Sequence, residues 1–103
     1  MEERRKVPRR RVLKEGMIVF ADGLRVFNCT IRDFSESGAR LLISNTVGLP
    51  DTFQLFEKSA GLLYPSTIVW RQTNALGVRF DGPPTSIHDP ANKRYARLKF
   101  TSR

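Results

Sequence analysis

Between Gly16 and Phe34 the chain reads GMIVFADGLRVFNCTIRDF, two apolar-rich runs joined by Asp22-Gly23. That dipeptide is favoured in tight hairpins because it tolerates positive φ. In the second run Phe27, Cys29 and Ile31 alternate with Asn28, Thr30 and Arg32, the period-two pattern of a strand with one buried face. GARLLIS, residues 38–44, predicts a third strand with Ala39, Leu41 and Ile43 on one side. After the Gly-Leu-Pro-Asp punctuation at 48–51, TFQLFE at 52–57 predicts a short fourth. LLYPSTIVWR at 62–71 and ALGVRF at 75–80 supply a fifth and a sixth, with a hairpin over Gln72 to Asn74. Pro65 cannot donate to a ladder and so marks an edge or a bulge.

Strands at such intervals, with no helical pattern between them, indicate an antiparallel sandwich or a small barrel. Gly-Pro-Pro at 82–84 ends the sheet region, and DPANKRYARLKF at 89–100 predicts a short C-terminal helix. Asp89 is placed to cap it and Pro90 to occupy its first position. The chain is expected to be all-β with that one helix. Its 103 residues and seven phenylalanines suit one small domain with a compact core.

Charge divides the chain in two. Residues 1–14 hold Arg4, Arg5, Lys6, Arg9, Arg10, Arg11 and Lys14 against Glu2 and Glu3, a net +5, while the rest carries only +3 of the total of +8. The expected organisation is a basic arm over 1–14 and a barrel domain over 15–103. Such an arm concentrates anions: nucleic acid, an anionic membrane or a phosphorylated small molecule. No apolar run approaches the ~18 residues of a membrane span, and the charged N-terminus lacks the apolar core of a secretory signal. A cytoplasmic protein is expected.

Catalytic chemistry finds little to work with. His88 is the only histidine and reads as a solvated loop residue. Cys29, the only cysteine, reads as a small hydrophobe within a strand. One Cys and one His make no zinc site, and Asp81 and Asp89 have no carboxylate partner at a useful spacing. Trp70, at the end of a strand, reads as core. An enzyme is not expected, nor any metal or cofactor.

Two stretches remain. Arg5 and Arg9 stand four apart on an arm stiffened by Pro8, and guanidinium groups bind phosphates bidentately and stack on purines. In DFSESG, residues 33–38, the plain reading is a turn in which Gly38 supplies a positive φ. The chemical reading gives Asp33 the donors of a guanine edge, Ser35 a hydroxyl contact, and Gly38 room for close approach. An acid for the base and arginines for phosphate are complementary halves of a guanine-nucleotide site.

Taken together, RKVPR (Arg5 to Arg9) followed by DFSESG resembles the RxxxR and (D/N)xSxxG signatures of the PilZ domain family. EGMIVF between them, and GARLLI, VWR and LGVRF after, fall in the family's order, so the resemblance covers residues 3 to about 81. It implies a six-stranded antiparallel β-barrel with a C-terminal helix, and binding of cyclic di-GMP, a bacterial second messenger. Arg5 and Arg9 would take phosphates and stack on a guanine, Asp33 and Ser35 would meet a guanine edge, and Gly38 would shape the turn. Arg4 and Arg10 flank the pair and would support a second, stacked ligand molecule. The implied protein is a single-domain receptor or adaptor with a downstream protein partner that the sequence does not name. The competing expectations are a nucleic-acid-binding barrel that uses the arm, and a ligand-free module for protein interaction. Nucleic acid is disfavoured because no strand shows exposed aromatics alternating with Lys or Arg.

Overall fold

The computed structural model of the chain describes residues 10–101, with side chains from 13 to 99. Seven strands run in order: β1 (Arg10–Phe20), β2 (Arg25–Phe34), β3 (Gly38–Leu42), β4 (Thr52–Glu57), β5 (Leu62–Arg71), β6 (Ala75–Phe80) and β7 (Thr85–Ser86). All pairings are antiparallel, and the order β4-β1-β2-β3-β6-β5 closes through a β4–β5 pairing into a six-stranded barrel. Closure leaves these strands without an open edge. The short β7 adds to Leu62 and Leu63 of β5. β1 begins at Arg10, so the last five positions of the basic stretch are strand, paired with β2.

The barrel interior is filled by Ile18, Cys29, Ile31, Leu41, Ile43, Leu55, Tyr64, Leu76 and Val78. A second cluster joins Met17, Val19, Phe56 and Leu63 to Ile87, Tyr95 and Leu98. Met17, Ile18 and Val19 are therefore buried in succession: one face of β1 lines the core, and the C-terminal segment covers the other. A strand covered on both faces needs a continuous apolar run rather than alternation. The C-terminal segment, Pro90–Thr101, is 3-10 helix interrupted at Asn92 rather than a regular α-helix. Asp89 caps it as expected, its Oδ1 accepting from the Ala91 N–H at 2.9 Å.

Two local expectations change. In the β1–β2 hairpin Gly23 N–H donates to Phe20 O, and the central residues are Ala21 (φ 53) and Asp22 (φ 55), with Gly23 following at φ 89. The turn is thus framed one residue earlier than Asp22-Gly23, with positive φ at both centres as a primed turn requires. Gly23 has its own reason to be glycine, since a Cβ there would meet the Arg94 carbonyl oxygen at 2.5 Å. Pro65 sits opposite Gln54 of β4, between the part of β5 paired with β7 and the part paired with β6. Its carbonyl accepts from the Asp81 N–H just past the end of β6.

Among the described residues no helix is long and apolar enough to cross a membrane. No group of three or more His, Cys, Asp or Glu that could hold a metal occurs among them either. His88 is exposed, as expected for a loop residue.

Cys29 is buried, and burial pushes its thiol up to about 12. Only the thiolate is nucleophilic, and an ordinary cysteine reaches half-ionisation near pH ~8.5. At about pH 8 the folded chain should react with iodoacetamide on the order of 1000-fold more slowly than the urea-unfolded chain, followed by mass spectrometry. Equal rates would contradict this packing.

Candidate ligand-binding site

Strict alternation from Ile31, which faces the core, would turn Asp33 inward and Phe34 outward. A bulge prevents it. Ile31 pairs with Leu41 and Asp33 with Arg40, leaving Arg32 as an extra residue on β2. Asp33 therefore takes the outer face beside Arg40, and Phe34 turns in against Tyr64 and Phe80 with ring centroids 5.5 and 5.7 Å away. Burial, and secondarily the charge of Glu57, raises the pKa of the Tyr64 phenol in this cluster. The aromatic packing anchors the DFSESG segment from beneath. The turn itself is closed by Ser35 N–H donating to Gly38 O at 2.9 Å, while the Ser35 hydroxyl accepts from Ser37 N–H at 3.2 Å.

Gly38 is required for a different reason from the one expected. Its φ is not positive. A Cβ there would meet the Val78 carbonyl oxygen at 2.2 Å, so glycine is what lets β3 lie closely on β6.

A second bulge acts on Trp70. Ile68 pairs with Val78 and Trp70 with Gly77, which leaves Val69 extra on β5. Trp70 is consequently 41% exposed, not core as its place at the strand end suggested. Its indole lies on Gly77, where a Cβ would stand 2.2 Å from Nε1. Bulges commonly re-aim side chains in this way next to functional sites.

These register relations make one row across five strands: Arg11, Asp33, Arg40, Gly77 and Trp70. A groove of about 330 Å³ follows it, lined among others by Ser35, Gly38, Arg40, Trp70, Gly77 and Arg79. Asp33 lies one strand back from the groove. Arg40 Nε meets its Oδ2 at 3.0 Å. At the rim Arg79 pairs with Asp81 at 3.1 Å. Hydrogen bonds from Thr67 and then Arg79 hold the Asp81 carboxyl below its usual range. A larger concavity of about 700 Å³, lined by Glu15, Gly16, Cys29, Ser44 and Asn74 among others, contains none of the motif residues.

Of the residues singled out from the sequence, the structure brings together Asp33, Ser35 and Gly38. Arg4, Arg5 and Arg9 lie outside the described residues, as does the side chain of Arg10. The backbone of Arg10 pairs with Phe34 and that of Arg11 with Asp33, so the basic stretch enters β1 directly beside the motif. At its root Lys14 Nζ bonds the buried Glu57 carboxylate at 3.2 Å and stands 5.3 Å from the Phe34 ring centroid. Sequence reasoning did not select Trp70, Arg40 or Arg79 for the site.

The small closed barrel thus presents a serine turn and an exposed indole along one groove, with the Asp33 carboxylate one strand back. The family model described as PilZ domain matches residues 3–95 of the 103-residue chain. The chain belongs to the PilZ domain family, whose domains are generally binding and adaptor modules for cyclic di-GMP rather than enzymes. A comparison with curated proteins finds no match.

The two glycines of the site should behave differently. Gly38→Ala presses on rigid backbone and should cost about 1–3 kcal/mol, lowering Tm by roughly 5–20 °C. Gly77→Ala presses on the movable indole of Trp70 and should lower Tm less while shifting the emission of this single tryptophan. Thermal melts and fluorescence check both; a larger Tm loss in Gly77→Ala would contradict the assignment.

Proposed function

We propose that the chain is a cyclic di-GMP receptor, acting as a small adaptor in bacterial second-messenger signalling. The observation that carries the reading is the row that places Asp33, the Ser35–Gly38 turn and an outward-facing Trp70 beside the strand into which the basic stretch leads. Each has a matching part of the ligand. Asp33 offers acceptors to the N1–H and amine of guanine, and Ser35 offers its hydroxyl. The flat indole of Trp70 offers a stacking face for the base. Arg5 and Arg9 supply bidentate donors for the phosphates. Arg9 is one residue from the end of β1 and Arg5 five, which at ~3.3–3.6 Å per residue keeps both within reach of the groove.

A nucleic-acid interface fits less well. Trp70 is the one aromatic among the exposed large apolar side chains of the described residues, whereas single-strand binders stack successive bases on several.

Calorimetry of the full chain with cyclic di-GMP, in parallel with cyclic di-AMP, GTP and short oligonucleotides, tests the reading. Saturable binding of cyclic di-GMP alone is expected, with Arg4 and Arg10 supporting two ligand molecules per chain. Asp33→Ala should weaken binding roughly 10- to 150-fold, the worth of a charge-assisted hydrogen bond. Trp70→Ala should weaken it about 5- to 150-fold, the worth of one stacked base. Lys93→Ala, an exposed charge in the C-terminal segment, should change little. No heat from a folded chain at high ligand concentration would remove the proposal.

A further inference from the structure

Arg40 stands between the two recognition elements of the row. Its register partners are Asp33 on β2 and Gly77 on β6, and Gly77 carries the Trp70 indole. Arg40 lines the groove and Asp33 does not. The Nε atom of Arg40 is enclosed and lies 3.0 Å from Asp33 Oδ2, as an ion pair without in-line hydrogen-bond geometry. The Arg40 side chain is 40% exposed and that of Asp33 15%. Among the described residues, the terminal Nη1 and Nη2 of Arg40 have no partner. The carboxylate is thus held from one side by a guanidinium whose other donors remain free at the groove.

A base with complementary groups in that order would satisfy both. Guanine carries its N1–H and amine donors next to O6, and O6 next to N7, the last two being acceptors that arginine meets bidentately. Adenine reverses the pattern: an amino group replaces O6 and a lone pair replaces N1–H. A lone carboxylate reads only half of this difference.

We propose that Arg40 is a specificity-determining residue of the site, donating through Nη1 and Nη2 to the O6/N7 edge of the guanine whose N1–H side meets Asp33. The inference rests on the reading of the groove as a guanine-nucleotide site. Nε keeps its place on Asp33, so the two side chains act as one acceptor–donor unit. Trp70 stacks on the same base, and the pair decides which purine the groove accepts.

The test uses the full chain and three probes: cyclic di-GMP, its 7-deazaguanine analogue, which lacks the N7 acceptor, and cyclic di-AMP. The unmodified chain should bind the analogue about 5-fold or more weakly than cyclic di-GMP. Arg40→Met should bind cyclic di-GMP about 5- to 150-fold more weakly and should no longer distinguish it from the analogue. Its preference over cyclic di-AMP should shrink. Arg40→Lys keeps a charge beside Asp33 without the planar fork, so it should retain more affinity than Arg40→Met yet show a reduced penalty for the missing N7. Equal penalties for the analogue in the unmodified chain and both variants would overturn the assignment, and so would an unmodified chain that binds both ligands alike. A folded chain that binds no cyclic di-GMP overturns the reading of the groove itself, a result distinct from either.

Discussion

Simple alternation along β2 and β5 would bury the side chains of Asp33 and Trp70. One extra residue in each strand, Arg32 before Asp33 and Val69 before Trp70, reverses the facing of everything that follows. A shift of one residue in a period-two element carries every subsequent side chain to the opposite face. The same offsets do structural work in the other direction, because the bulge that turns Asp33 out turns Phe34 in against Tyr64 and Phe80. The outer face and the packing beneath it are therefore two results of one backbone feature.

The row across the sheet also requires β3 to run close to β6. Gly38 permits this at the Val78 carbonyl, and Gly77 leaves space on the outer face for the indole. On the far side of the motif, Lys14 ties the root of the basic stretch to the buried Glu57, whose carboxylate also accepts from the Ser59 hydroxyl at 2.6 Å. An acid so enclosed needs both partners, since an uncompensated buried charge is costly. The C-terminal 3-10 segment covers β1 from outside and completes the clamp on the strand that joins the stretch to the barrel. The motif and the anchored root of the basic stretch thus meet on the paired strands β1 and β2.

Much of this was legible in the sequence. Five of the six barrel strands end within two residues of where the apolar pattern placed them, and β1 extends further back than its pattern, into the basic stretch. Asp89-Pro90 marked the start of the C-terminal segment. What escaped reading were features set by pairing rather than by composition. Trp70 read as core from its place at a strand end, whereas the bulge that turns it outward is decided by the partner strand. Gly38 was expected to be glycine for its φ, whereas the cause is a carbonyl forty residues further along the chain. Arg40 carried no signal at all, since its meaning comes from standing opposite Asp33 and Gly77. The two-residue β7 was too short to show a pattern. Asp33, Ser35 and Gly38 were singled out through the motif they form, but that Ser35 and Gly38 line the groove while Asp33 stands one strand back was not legible.

The central claim is that the face carrying Asp33, Arg40, Gly77 and Trp70 receives the ligand and the larger concavity near Cys29 does not. Amide chemical shifts of the isotopically labelled chain, followed during titration with cyclic di-GMP, test it most directly. The account requires the largest changes at residues 33–40, at Val69 and Trp70, and at 77–79, together with the Trp70 indole N–H. Gly16, Cys29, Ser44 and Asn74 should stay near their starting positions. Changes concentrated on those four residues, with the Trp70 indole unmoved, would contradict it.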